Sequence, residues 1–157
     1  MKLLFICTHN RCRSILAEAI ANHLAEGRLQ ARSAGSSPVG EVHPLSLRYL
    51  TEIGISTEGL CSQSWDEHER FAPDVVFTVC DSAASEPCPA WFGDSMVVHW
   101  GLPDPSRLEG SEEQVKAAFY SVMATLEQRL NALLALDLST IRGEDLRQAL
   151  VAIGGNS

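Results

Sequence analysis

The chain has 157 residues and a net charge of −8, enough for one ordinary domain that buries about two thirds of the surface its unfolded form exposes and needs no metal or disulfide staple to fold. The acidic balance repels nucleic acid and membrane surfaces, and no basic face interleaved with aromatics offsets it. No apolar run approaches the ~18 residues of a membrane span, and the stretch before Cys7 is too short for a signal-peptide core, so a soluble cytoplasmic protein is expected.

In chain order, Leu3, Leu4, Phe5 and Ile6 predict a short buried strand ending at Cys7. Ile15, Leu16, Ala19, Ile20, His23 and Leu24 then recur at helical spacing from a start near Ser14, and Gly27 supplies the stop. A strand is expected from Leu29 to Ala34, a turn-rich stretch from Gly35 to Gly40, and a helix through Leu45, Leu47, Leu50 and Ile53 closed by Gly54. Asp74 to Val79 reads as the next strand, and Asp81 to Gly93, rich in Ser, Ala, Pro and Gly, as a long ordered but mobile loop. Met96 to Trp100 is a further strand, running into the stiff turn Gly101-Leu102-Pro103-Asp104-Pro105. Ser111-Glu112-Glu113 opens a long helix whose stripe of Val115, Ala118, Phe119, Val122, Leu126, Leu130 and Leu133 is core, with acidic residues at its positive end. An extra C-terminal helix is expected at 144–153, on Leu146, Leu150 and Ile153, with Gly154-Gly155 as its terminator and the tail either docked on the body or mediating a dimer. This alternation, without repeats or a composition break, predicts a single α/β domain over 1–157 with a parallel sheet covered by helices.

The chemistry gathers between the first strand and the first helix, in Cys7-Thr8-His9-Asn10-Arg11-Cys12-Arg13-Ser14. A strand ending at the cysteine and a helix beginning near the serine leave the backbone N–H groups of Thr8, His9, Asn10, Arg11, Cys12 and Arg13 to curl around one point, to which the helix adds its positive end. A tetrahedral oxyanion fits that cradle, and Arg13 grips two of its oxygens through a planar fork. The same field is expected to favour thiolate at Cys7, lowering it from ~8.5 into the range of roughly 3.5 to 7.5. Ser14 is placed to donate a hydroxyl hydrogen bond to the sulfur.

Cys7, Cys12, Cys61, Cys80 and Cys88 are an odd set, which argues against permanent bridges. Cys80 ends its strand as Cys7 ends the first, and in open parallel sheets ligands gather beyond the carboxyl ends of strands. If the two strands are neighbours, ~4.8 Å apart, the cysteines come within the Cα separation of about 7 Å that a disulfide tolerates. Cys88, in the following loop, is then able to attack Cys80. Asp104, confined to extended backbone by Pro105, is placed to protonate a leaving hydroxyl. Cys12 is expected to pack toward the helix and Cys61 to be structural.

Together these features resemble the low-molecular-weight tyrosine phosphatase fold family, whose phosphate loop reads C-x-x-x-x-x-R-S and whose acid is the aspartate of a later D-P pair; Cys7, Arg13, Ser14 and Asp104 match. More closely, the chain is similar to the arsenate reductases built on that fold, through Val79-Cys80-Asp81-Ser82-Ala83-Ala84, Cys88-Pro89, His99-Trp100-Gly101 and Asp104-Pro105, a likeness running from Met1 to about Leu134. In the phosphatase branch an aromatic residue typically follows the D-P pair; here Ser106 and Arg107 follow, which favours a small bare oxyanion. His9 and Arg11 are bulkier than the residues relatives often carry in the cradle.

The resemblance implies a three-layer αβα sandwich with a four-stranded parallel sheet, and reduction of arsenate to arsenite in arsenic detoxification. Its implied order is an adduct at Cys7, attack by Cys80 on the Cys7 sulfur, then attack by Cys88 on Cys80. The implied partner is an external thiol reductant, thioredoxin or glutaredoxin with a small thiol. No tightly bound cofactor is implied beyond a potassium ion, for which Asn10, Glu18, Ser33, Ser64 and Asp66 are the corresponding positions. A phosphatase would use Cys7, Arg13 and Asp104 alone, and a plain anion-binding module would need no acid.

Overall fold

A parallel strand with neighbours on both sides and helices on both faces must be apolar throughout. The chain supplies two such runs, β1 (Lys2–Ile6), buried from Leu3 onward, and β3 (Val75–Thr78), buried at every position. In this computed structural model, which describes residues 1–80 and 95–155, they are the inner strands. β2 (Gln30–Ala34) and β4 (Met96–His99) take the edges, and the sheet runs β2-β1-β3-β4, parallel throughout. The expected loop from Asp81 to Gly93, and Cys88 with it, lies outside the described residues.

The chain steps outward from β1 to β2, then crosses back over β1 to lay down β3. The order therefore reverses between the two inner strands, where open α/β sheets hold their ligands. The register pairs Ile6 with Thr78, and one step further it sets Cys7 beside Val79 and Thr8 beside Cys80. Under this junction Phe5 stacks on Phe77, with centroids 5.2 Å apart, and Phe77 meets Trp100 at 4.1 Å. The floor of the junction is thus a row of fully buried rings.

α1 (Arg13–Ala25) is buried nearly all round, because it lies against the sheet and against α3 (Glu112–Leu134). α2 (Pro44–Glu52) starts on a proline, whose fixed φ suits a first helical residue, and packs on both. Ser111 opens α3 through a reciprocal capping box with Gln114, at 3.2 Å and 2.9 Å. The same device, Ser64 with Glu67, opens a 3-10 helix at Trp65–Phe71 that apolar periodicity does not reveal. A short 3-10 turn, Pro105–Arg107, follows Asp104. Among the described residues no helix is long and apolar enough to cross a membrane.

The C-terminal helix α4 (Gly143–Gly155) forms as expected, but Gly154 and Gly155 do not terminate it. Gly154 is there for close approach: a Cβ on it would lie 2.6 Å from Cδ1 of Trp100. The tail docks on the body. Trp100 Nε1 donates to the Leu150 carbonyl at 2.8 Å, and Arg147 Nη1 to the Val97 carbonyl of β4 at 3.1 Å. Arg129, buried on α3, donates to the carbonyls of Gly101 and Gly154, each at 3.3 Å. Replacing Gly154 with Val forces either the helix or the indole to move. Denaturant titration of Gly154→Val should show a loss of about 1–3 kcal/mol, the usual cost of overpacking; an unchanged midpoint would mean that the helix end is not seated on Trp100.

Candidate active site

Cys7 leaves β1 and Arg13 begins α1, so the loop between them hangs at the reversal of strand order. Cys12, the N-cap of α1, makes no side-chain cap, and the first turn holds no acidic residue. Elsewhere the chain fills this place itself, with His43 Nδ1 accepting from Leu45 N–H at α2 and Ser111 accepting at α3. The leading N–H groups of α1 are left for a ligand.

The loop's carbonyls are turned outward. Those of Thr8, His9 and Arg11 accept from the N–H groups of Ser37, Val39 and His43 at 2.9, 3.2 and 2.9 Å. Across a planar trans peptide the N–H points opposite the C=O, so the N–H groups of His9 and Cys12 are turned inward. That of His9 reaches the Cys7 sulfur. The N–H of Asn10 instead closes a tight turn onto the Cys7 carbonyl at 3.3 Å. Gly35 lets the end of β2 pass close enough to hold the loop, since a Cβ there would sit 2.5 Å from the Thr8 carbonyl oxygen and 2.6 Å from that of Cys7.

Asn10 is fully buried at φ 47°, a left-handed conformation that asparagine tolerates. Its Nδ2 donates to Ser14 Oγ at 2.9 Å and Ser33 Oγ at 3.0 Å, and its Oδ1 accepts from the Gln63 N–H at 2.8 Å. Ser33 Oγ donates to Glu18 Oε1 at 2.5 Å, and burial pushes the Glu18 carboxyl up to about 7. Buried His68, unforeseen in the sequence, contacts the Ser33 carbonyl through Nε2 at 3.1 Å. Of the five oxygen-bearing residues anticipated around a cation, Asn10, Ser33 and Glu18 are thus joined in one chain. Ser64 caps the neighbouring 3-10 helix by accepting from the Asp66 N–H, and Asp66 is exposed. The chemistry of this set, neutral oxygens with two carboxylates, fits a hard cation.

Cys7 and Cys80 are both buried, and Cys80 hydrogen-bonds to the Cys7 sulfur while its own sulfur lies 3.8 Å from Thr8 Oγ1. The expected lowering of Cys7 is not what this arrangement gives. The contact with Cys80 and burial push the Cys7 thiol up, against the pull of Arg13 and the His9 N–H. A second sulfur shares the proton that the cradle alone would have expelled. Ser14 Oγ, expected to serve the sulfur, accepts from Asn10. Cys12 is buried and pushed up to about 12, mainly by burial, as befits packing. Cys61, expected to be structural, is exposed, with Gln63 Nε2 donating to its sulfur at 3.1 Å.

Arg13 Nη1 donates to the Leu102 carbonyl at 2.9 Å, and Nη2 lies 3.6 Å from Asp104 Oδ2. Its Nε is buried and has no partner among the described residues, which leaves a strong donor for an anion. Arg107 Nε approaches the same Oδ2 at 3.4 Å, while Asp104 Oδ1 accepts from the N–H and hydroxyl of Ser106. His9 Nδ1 lies 3.3 Å from the Ser37 carbonyl, and the charge of Arg11 is felt at Cys12 and His43. The structure thus brings Cys7, Arg13, Cys80 and Asp104 to one crevice. Removing Cys80 takes away the largest cause raising Cys7, so in Cys80→Ala the pH at which Cys7 becomes alkylatable should fall. Peptide mapping of iodoacetamide labelling across pH reads this directly, and an unmoved midpoint would mean that the two sulfurs do not share a proton.

The model of the low molecular weight phosphotyrosine protein phosphatase family matches residues 2–147. The arsenate reductase of Halalkalibacterium halodurans is 34% identical over 126 residues, 80% of this chain and 89% of that protein. The glutaredoxin arsenate reductase of Synechocystis is 30% identical over 134 residues, 85% of this chain and 96% of that protein. The crystal structure of an arsenate reductase from Archaeoglobus fulgidus superposes with a TM-score of 0.70 at 28% identity, covering 85% of this chain and 99% of that one. With its four-stranded parallel sheet and its loop from Cys7 to Ser14, the chain belongs to the low molecular weight phosphotyrosine protein phosphatase family, among the arsenate reductases built on that fold.

Proposed function

We propose that this protein reduces arsenate to arsenite through Cys7, Cys80 and Cys88. The observation that carries the reading is the Cys80 thiol resting on the Cys7 sulfur between the inner strands. A phosphatase has no use for a second thiol there, whereas a reductase needs one within a bond's reach.

Arsenate enters the cradle as an anion, with the Nε of Arg13 and the inward N–H groups as its donors. The proton that Cys80 and burial keep on Cys7 has the bound dianion as its acceptor. The Cys7 sulfur attacks arsenic, an S–As bond forms, an As–OH bond breaks, and Asp104 protonates the departing hydroxide to water. Cys80 then attacks the Cys7 sulfur; as the S–S bond forms, the S–As electron pair passes to arsenic, which leaves as arsenite. Cys88 attacks Cys80, Cys7 is freed, and an external dithiol protein reduces the Cys80–Cys88 bridge. Thioredoxin is the partner in this reading, with glutaredoxin and a small thiol as the alternative.

Cys88→Ser should stop the reaction after one arsenite per chain, while the wild type turns over repeatedly with its reductant. Mass spectrometry after stoichiometric arsenate should find the Cys80–Cys88 bridge in the wild type. Continued turnover by Cys88→Ser would overturn the relay, and running the assay with each reductant in turn identifies the partner.

The reading extends to potassium, held by oxygens of Asn10, Glu18, Ser33, Ser64 and Asp66. Its support is the Asn10–Ser33–Glu18 chain beside the cradle. The ion would supply a fixed positive charge that steadies this chain, and no chemical step runs through it. A melting temperature higher in potassium than in choline chloride at equal ionic strength, with the difference lost in Glu18→Gln, is the expected result; equal melting in both salts would remove the ion from the account.

A further inference from the structure

We propose that Ser106 is a positioning residue that decides which oxygen of Asp104 delivers the proton. The proposal rests on the reading of Asp104 as the acid, and it assigns a task to a residue that stands where phosphatases carry an aromatic. Both donors of Ser106 converge on one carboxyl oxygen: its N–H lies 2.9 Å and its hydroxyl 2.6 Å from Asp104 Oδ1. The N–H contact alone is what any capping aspartate makes at the head of a turn. The hydroxyl contact is a second, independent tether, and it fixes the rotation of the carboxyl plane.

The other oxygen is held differently. Among the described residues, the neighbours of Oδ2 are guanidinium groups, Arg13 Nη2 at 3.6 Å and Arg107 Nε at 3.4 Å, both longer than a tight charge-assisted hydrogen bond. It faces Arg13 and therefore the cradle. Oδ1 already accepts two short hydrogen bonds, while the donors facing Oδ2 stand further off, so the acid form of Asp104 carries its hydrogen on Oδ2. Pro105 between the two residues keeps the turn from relaxing. When an incoming oxyanion draws the Arg13 fork onto itself, Oδ2–H is left beside the bound ligand. As the S–As bond forms and the As–OH bond breaks, that hydrogen moves from Oδ2 to the leaving hydroxide, which departs as water. Arsenic keeps its oxidation state in this step.

Freed of the hydroxyl tether, the carboxyl can rotate and present either oxygen. In single-turnover measurements of arsenate-dependent thiol loss, Ser106→Ala should lower the maximal rate about tenfold, a fraction of what a general acid contributes. The arsenate concentration at half-maximal rate should stay near the wild-type value, because the cradle and Arg13 are untouched. Ser106→Thr, which keeps the hydroxyl, should restore the rate. In an Asp104→Asn background, Ser106→Ala should cost nothing further. If Asp104→Asn itself reacts at the wild-type rate, the acid reading falls and the Ser106 role with it. If Asp104→Asn is slow while Ser106→Ala is unimpaired, or Ser106→Ala is equally damaging in both backgrounds, the acid reading stands and the positioning role is overturned.

Discussion

The pairing of β1 with β3 is the constraint on which the remaining structure depends. Because the chain lays down β2 first and then returns across β1, the carboxyl ends of two non-consecutive strands open side by side. Cys7 follows one strand end and Cys80 the other, so the pairing lays the two segments that carry these sulfurs alongside each other. The meeting of the two cysteines is in this sense a property of topology before it is a property of chemistry.

Around that junction, short-range fields overcome the global one. A chain with net charge −8 attracts a small anion only where local groups outweigh the whole, and the crevice supplies an uncapped helix end, two inward amides and the Nε of Arg13, unpartnered among the described residues. Each of these stays available because something else has been satisfied: the loop carbonyls by residues 37–43, and the Asn10 amide by Ser14, Ser33 and Gln63. Full satisfaction of the loop's back is what leaves its front free. The rise in the Cys7 pKa has the same local origin, in the contact with the Cys80 thiol and in burial.

Much of this was legible in the sequence, and the exceptions have physical causes. The inner strands announce themselves as continuous apolar runs, and α3 as a long stripe with acidic residues in its first turn. Cys7, Arg13 and Asp104 stand out because spacing and proline place them at strand and helix ends. The 3-10 helix at Trp65–Phe71 lacks helical periodicity, although Ser64 and Glu67 carry the capping signal that would have found it. Gly154 reads as a stop because glycine usually is one, and only the Trp100 ring shows why it is needed inside a helix. The state of the Cys7 thiol is not legible in its loop alone, because its strongest influence comes from a residue 73 positions away. Gln63 contributes through its backbone N–H, which no side-chain pattern can disclose.

The seat of α4 has a consequence beyond its own stability. A small open sheet ends in strands whose outer N–H and C=O groups invite a foreign strand, the usual starting point of aggregation. On β4 the carbonyl of Val97 is taken by Arg147, and the helix carrying that arginine lies against the strand. The tail therefore works as a bumper along that margin of the sheet, keeping the strand from recruiting its neighbours.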